Sequence, residues 1–197
     1  MTRQQSAPHR ALDAVEEARA LDGPAAQLTR RLRKPAASAV GGLLRGRWLG
    51  HPLHPIAVTV PIGAWLCSAA FDLVPGRHEE ARRLVGAGLL AAPPAIVLGL
   101  ADYADLDVRQ QRVGLVHAAC NTVAIALFGA SYQARRRGRH ARGKLLGALG
   151  LATAGAGGAL GGHLAYAQGA GVFRWQPLDA EPAEMAGPDP TAPRNPA

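Results

Sequence analysis

Residues 113–132, VGLVHAACNTVAIALFGASY, run for a full helix length without a single Lys, Arg, Asp or Glu. At 1.5 Å per residue such a helix spans about 30 Å, the thickness of a bilayer's hydrocarbon core. A helix on the surface of a soluble bundle would carry charged residues along its outer stripe every few positions. This stretch carries none. Residues 145–166, LLGALGLATAGAGGALGGHLAY, are uncharged in the same way. Residues 55–74, PIAVTVPIGAWLCSAAFDLV, hold one acid, Asp72, near the end. A fourth apolar run covers about 84–100, with Pro93 and Pro94 at its middle. The prolines predict a kink, which neighbouring helices in a bundle tolerate. The expected fold class is therefore all-α, a four-helix transmembrane bundle.

An apolar share of 48% looks ordinary only because polar ends dilute these four runs. The net charge of +8 would suggest nucleic acid in a soluble protein. Here the arginines flank apolar segments, so a lipid bilayer explains them better and nucleic acid is not expected as a partner. Cys67 and Cys120 both lie inside apolar runs, with no CxxC spacing and no disulfide framework. The N-terminus has no apolar core of the kind a signal peptide needs. The domain reading has three parts. Residues 1–49 form a polar, amphipathic helical region, with short helices about 10–20 and 24–34. Residues 50–171 form the transmembrane domain. Residues 172–197, rich in Pro, Ala and acids, are expected to be disordered. The helix at 24–34, PAAQLTRRLRK, suits either an anionic lipid surface or plain solvation.

The chain enters its first apolar run through GHPLHP, residues 50–55. A residue before proline is pushed out of the helical region, so His51 and His54 are expected in extended backbone. Pro55 suits the first helical turn. If the first span starts at a membrane face A, the third also starts there and the fourth ends there. His117 then lies about 6 Å below face A and His163 about 5 Å below it. Four histidines from three segments converge on one face. The loop ADYADLDVRQQR adds Asp102, Asp105, Asp107, Arg109 and Arg112, and Asn121 lies one turn below His117. Ionisable groups inside a membrane point to function, and imidazole is a common ligand for metals and haem. His117 and His163 are the expected axial or metal ligands, with His51 and His54 as supporting or alternative ligands. Arg109 and Arg112 would meet haem propionates. Asp102 or Asp105 would complete a divalent-metal site. The competing reading is that the histidines only hydrogen-bond between helices. Gly150, Ala154, Gly158 and Gly162 repeat every four residues beside His163 and predict a stripe for close helix approach.

The motifs WLGHPLHP, TVPIGAW, GLADYAD, RRVGLVHAACNTVA and GGHLAYAQGAGV resemble the bacterial multi-pass membrane family catalogued as domain of unknown function 2231. Members of that family frequently carry a Rieske iron–sulfur domain directly after the last helix. This chain departs from that pattern, since its tail has no cysteine. The resemblance implies an association with electron transfer, with a Rieske-type partner on a separate chain or absent. Nine basic residues near face B favour that face as cytoplasmic in a bacterial inner membrane. The leading functional expectation is a membrane anchor or electron-transfer module with haem b or a divalent metal at face A, not an enzyme on its own. Self-association into a homo-oligomer would fit it. The alternatives are a non-catalytic scaffold and a small transporter or proton relay.

Overall fold

The computed structural model describes residues 7–171, with side chains from residue 10 onward. The tail at 172–197 lies outside the described residues. Among those described the secondary structure is helical: α1 (Ala7–Glu17), a 3₁₀ turn (Arg19–Leu21), α2 (Asp22–Ala37), α3 (Ala39–Leu44), α4 (His54–Ala57), α5 (Thr59–Asp72), α6 (His78–Tyr103), α7 (Val108–Arg136), α8 (His140–Gly162) and a π turn (His163–Ala167). Four stretches are long and apolar enough to cross a membrane: His54–Asp72, His78–Tyr103, Val108–Arg136 and His140–Ala167. The all-α, four-span expectation is met.

The outside of the bundle is as apolar as its inside. Leu73 is 86% exposed and Leu90 82%, with Val60, Leu66 and Leu145 exposed alongside them. So much apolar surface on a soluble protein would drive association; in hydrocarbon it is the proper solvent contact. The core between the helices is small and aromatic. Trp65 of α5 stacks on Phe128 of α7 at 4.0 Å between ring centroids, with Val85 and Ala92 of α6 packed around them. Trp65 reaches that position because Gly88 has no side chain: a Cβ there would stand 2.2 Å from the indole nitrogen.

Several local expectations change. His54 is not extended; it opens the short helix α4, with Pro55 in the first turn. The chain can start a helix at His54 because the turn needs no N–H from Pro55. Helix α6 continues through Pro93 and Pro94, as a proline-kinked helix in a bundle also does. The stripe expected on α8 is packed at Gly150, which meets Phe128, and leaves the helix seam further on. Gly158 and Gly162 face open space, with nothing near a Cβ built on either. The close-packed positions are Gly143, Gly147, Gly150, Gly157 and Gly161, which meet Arg135, Ser131, Phe128, Asn121 and His117 of α7. Their spacing of four, three, seven and four residues is that of a left-handed helix seam, which a strict four-residue repeat drifts away from.

The N-terminal region is not detached from the bundle. Helices α1 and α2 pack on α7, and α2 also packs on α6 and α3. Helix α7 begins with a reciprocal cap: Asp107 accepts from the Gln110 backbone N–H at 2.9 Å, and the Gln110 side chain accepts from the Asp107 N–H at 3.1 Å.

Candidate functional site at the histidine face

Two polar clusters occupy face A. The inner one joins α4, α6, α7 and α8. His54 Nδ1 lies 2.9 Å from the Ala95 carbonyl oxygen, and His117 Nδ1 lies 2.7 Å from that of Gly157. A ring nitrogen facing a carbonyl must carry the proton, so both rings present Nε2 as an acceptor. Asn121 Nδ2 lies against the His117 ring, 3.1 Å from Nε2 and 3.5 Å from Nδ1. The two imidazoles meet edge to face, 6.3 Å between centroids. Each polar group sits on a glycine of the opposing helix: His54 on Gly99, His117 on Gly161, Asn121 on Gly157, with Cβ positions there only 2.8–3.0 Å from the polar side chains. Glycine is needed at these sites so that a ring can reach the neighbouring backbone.

The outer cluster ties α1 and α2 to the spans. Glu16 is buried, 8% exposed, although it belongs to a charged helix. Its Oε1 lies 2.5 Å from His163 Nε2 and its Oε2 accepts from Arg109 at 2.5 Å. Arg112 donates to both carboxylate oxygens of Asp22, at 2.6 and 3.0 Å, and to the Glu16 carbonyl at 2.6 Å. His163, then Arg109, hold the Glu16 carboxyl below the usual carboxylate range; the Gln168 amide stands near it, though neither of its polar atoms makes a full hydrogen bond. Arg112 holds Asp22 low in the same way. Asp105 pairs with Arg45, which also donates to the Ala36 carbonyl at 3.0 Å.

The structure thus divides the residues expected at this face. It brings His54 and His117 together, and sends His163 to Glu16. Arg109 and Arg112 bond to α1 and α2. His51 stays exposed in the loop before α4, and Asp102 lies in the last turn of α6. Among the described residues no three of His, Cys, Asp and Glu gather as a cage for a metal ion. Cys67 and Cys120 are free thiols.

Sequence reasoning missed two partners. Nothing in the run EEARALDG marks Glu16 as buried. At face B, Arg135 is buried and donates to both oxygens of Asp72, at 2.7 and 2.6 Å, while its Nε donates to Ser131 at 3.2 Å. The lone acid of the first span was the available signal, since a carboxylate at that depth needs a partner.

Neither a curated protein nor a solved structure matches the chain. A family model does, that of the predicted membrane protein DUF2231, over residues 50–174, from the GHPLHP segment past the end of the last span. With four apolar spans, a lipid-facing exterior and a match over most of its length, the chain belongs to the DUF2231 family of membrane proteins.

Proposed function

We propose that the chain is a membrane anchor and scaffold whose histidine face is a hydrogen-bonded polar layer closed over by α1 and α2. The observation that supports this most is the bond from His117 Nδ1 on α7 to the Gly157 carbonyl on α8, with the Asn121 amide lying against the same ring. A histidine whose ring proton is committed to the backbone of the neighbouring helix holds the two helices together. An interhelical bond of this kind contributes about 0.6–2 kcal/mol in a membrane. His163, Arg109 and Arg112 are engaged likewise, by Glu16 and Asp22. A haem held by His117 and His163 would have to displace Glu16 from His163 Nε2. In this reading the protein is a bacterial inner-membrane component with face B in the cytoplasm. It presents its capped face to a partner such as a separate Rieske-type subunit or a second copy of itself.

A second reading has one specific observation in its favour. Carbonyl oxygens fix both His54 and His117 as tautomers with Nε2 available, which is how proteins orient imidazoles for a metal. A small cation between His54 and His117 would need Asn121 to turn aside. A flat macrocycle fits less well, because the rings are seated directly on glycine backbone.

One purification separates the readings. Full-length protein in mild detergent is assayed for bound metal by mass spectrometry and for haem by reduced-minus-oxidised spectra. The scaffold reading expects neither at one equivalent, and expects His117→Ala to lower the melting temperature. A Soret band or one equivalent of metal that His117→Ala abolishes would overturn it.

A further inference from the structure

At face B, near the end of α5, a cavity of about 250 Å³ opens between α5 and α8. These two spans touch less than the sequential pairs α5–α6 and α7–α8. Trp65, Leu73, Val85, Phe128 and Leu151 give it apolar walls, and Lys144 stands among the lining residues. Leu73 and Ala148, at its rim, are exposed on the lipid side.

The charge at this slot does not cancel. Arg135 takes both oxygens of the Asp72 carboxylate. Lys144 Nζ reaches only the Asp72 backbone carbonyl, at 2.5 Å. Its ammonium therefore has a dipole for a partner and no carboxylate among the described residues, and two N–H donors remain. Lys144 is the fifth residue of α8, about 6 Å from the helix start, a depth close to the headgroup layer. Arg136, Arg137, Arg139 and Arg142 are exposed around the same turn. An apolar slot ending in an unbalanced cation matches one chemistry: an amphiphile with an acyl chain and an anionic head.

We propose that this slot binds an anionic phospholipid, with one acyl chain between α5 and α8 and the phosphate on Lys144. The buried Arg135–Asp72 pair acts as the floor. It fixes the Asp72 carbonyl that aims Lys144, and it offers the headgroup no competing carboxylate.

Trp65 lines the slot and reports its occupancy. The chain has three tryptophans; Trp48→Phe and Trp175→Phe leave Trp65 alone. The full-length protein is reconstituted in phosphatidylcholine vesicles containing a small fraction of lipid brominated on its acyl chains, either phosphatidylglycerol or phosphatidylcholine. One lysine near a bilayer surface corresponds to about a fivefold preference for the anionic lipid. Trp65 quenching should show a preference of that order. Lys144→Gln should bring the anionic lipid down to the level of the zwitterionic one. Arg142→Gln removes an equal charge outside the slot and should leave the preference intact. Ala148→Phe, at the exposed rim, should reduce quenching by both lipids. Inorganic phosphate at matched ionic strength should not compete. Equal quenching by the two lipids, a preference that survives Lys144→Gln, an equal loss in Arg142→Gln, or competition by free phosphate would each overturn the assignment.

Discussion

At the scale of single residues, the most costly position is Asp72 with Arg135. Two charges at membrane depth are tolerable only as a pair, and here the pair is bidentate with Arg135 almost fully enclosed, its side chain 1% exposed. Removing one member strands the other. Asp72→Asn should cost about 3–5 kcal/mol, whereas the double change Asp72→Asn with Arg135→Met should cost less than that single change. Unfolding of the two variants beside the parent in detergent micelles would check the order; a double variant weaker than Asp72→Asn would contradict it. His78 and His140, stacked at 4.2 Å between centroids, belong to the helix ends of face B. That position agrees with the placement of His117 and His163 at the opposite face, which depth counting alone supplied. Counting along a helix gives depth within about one residue's rise. It does not give direction around the helix. Similar depth makes His117 and His163 the expected pair of ligands, and the structure turns them to different partners, Gly157 and Glu16.

At the scale of elements, α7 and α8 form the tightest helix pair, and glycines on α8 set their distance. Gly150→Ala would push a methyl to 3.0 Å from the Phe128 ring, and Gly157→Ala would put one 2.8 Å from the Asn121 amide oxygen. Each should destabilise by about 1–3 kcal/mol, as overpacking does. Gly158→Ala and Gly162→Ala meet nothing and should be neutral or slightly stabilising, through the better helix propensity of alanine. Melting of the four single variants checks this, and a large loss at Gly158 would show that another surface packs there. The existence and order of the four spans were legible in the sequence, because length and absence of charge leave a membrane helix little choice. The packed face of α8 was not. Its glycines are so numerous that several stripes can be drawn, and the chosen one depends on where α7 places Phe128, Asn121 and His117. A bulky residue on one helix selects the glycines on the other, and that pairing is a property of two elements.

At the scale of the whole molecule, the N-terminal helices form a lid on face A, joined to the spans by carboxylates. The sequence suits the helix at 24–34 to lipid or plain solvation, and what ties the N-terminal helices to the spans is a pair of anchors: Glu16 to His163 and Arg109, Asp22 to Arg112. Both carboxyls are held below their usual values, Glu16 first by His163 and Asp22 first by Arg112. A carboxyl with a lowered folded-state pKa adds stability above its unfolded value and loses it as pH falls through the folded one. Docking of α1 and α2 should therefore be full at neutral pH and decline below the ordinary carboxylate range, from about pH 4.5 downward. Hydrogen exchange of α1 and α2 in detergent micelles, measured against pH, would show protection falling there while α7 and α8 stay protected. Glu16→Gln keeps the shape of the side chain and removes its charge, so its α1 should exchange faster already at neutral pH and lose most of the acid step. If wild-type α1 exchanges equally fast at neutral and acid pH, the ion pairs do not hold the lid. Glu16 would then owe its burial to the packing of α1 on α7, and His163 would be free to meet another partner at the open face.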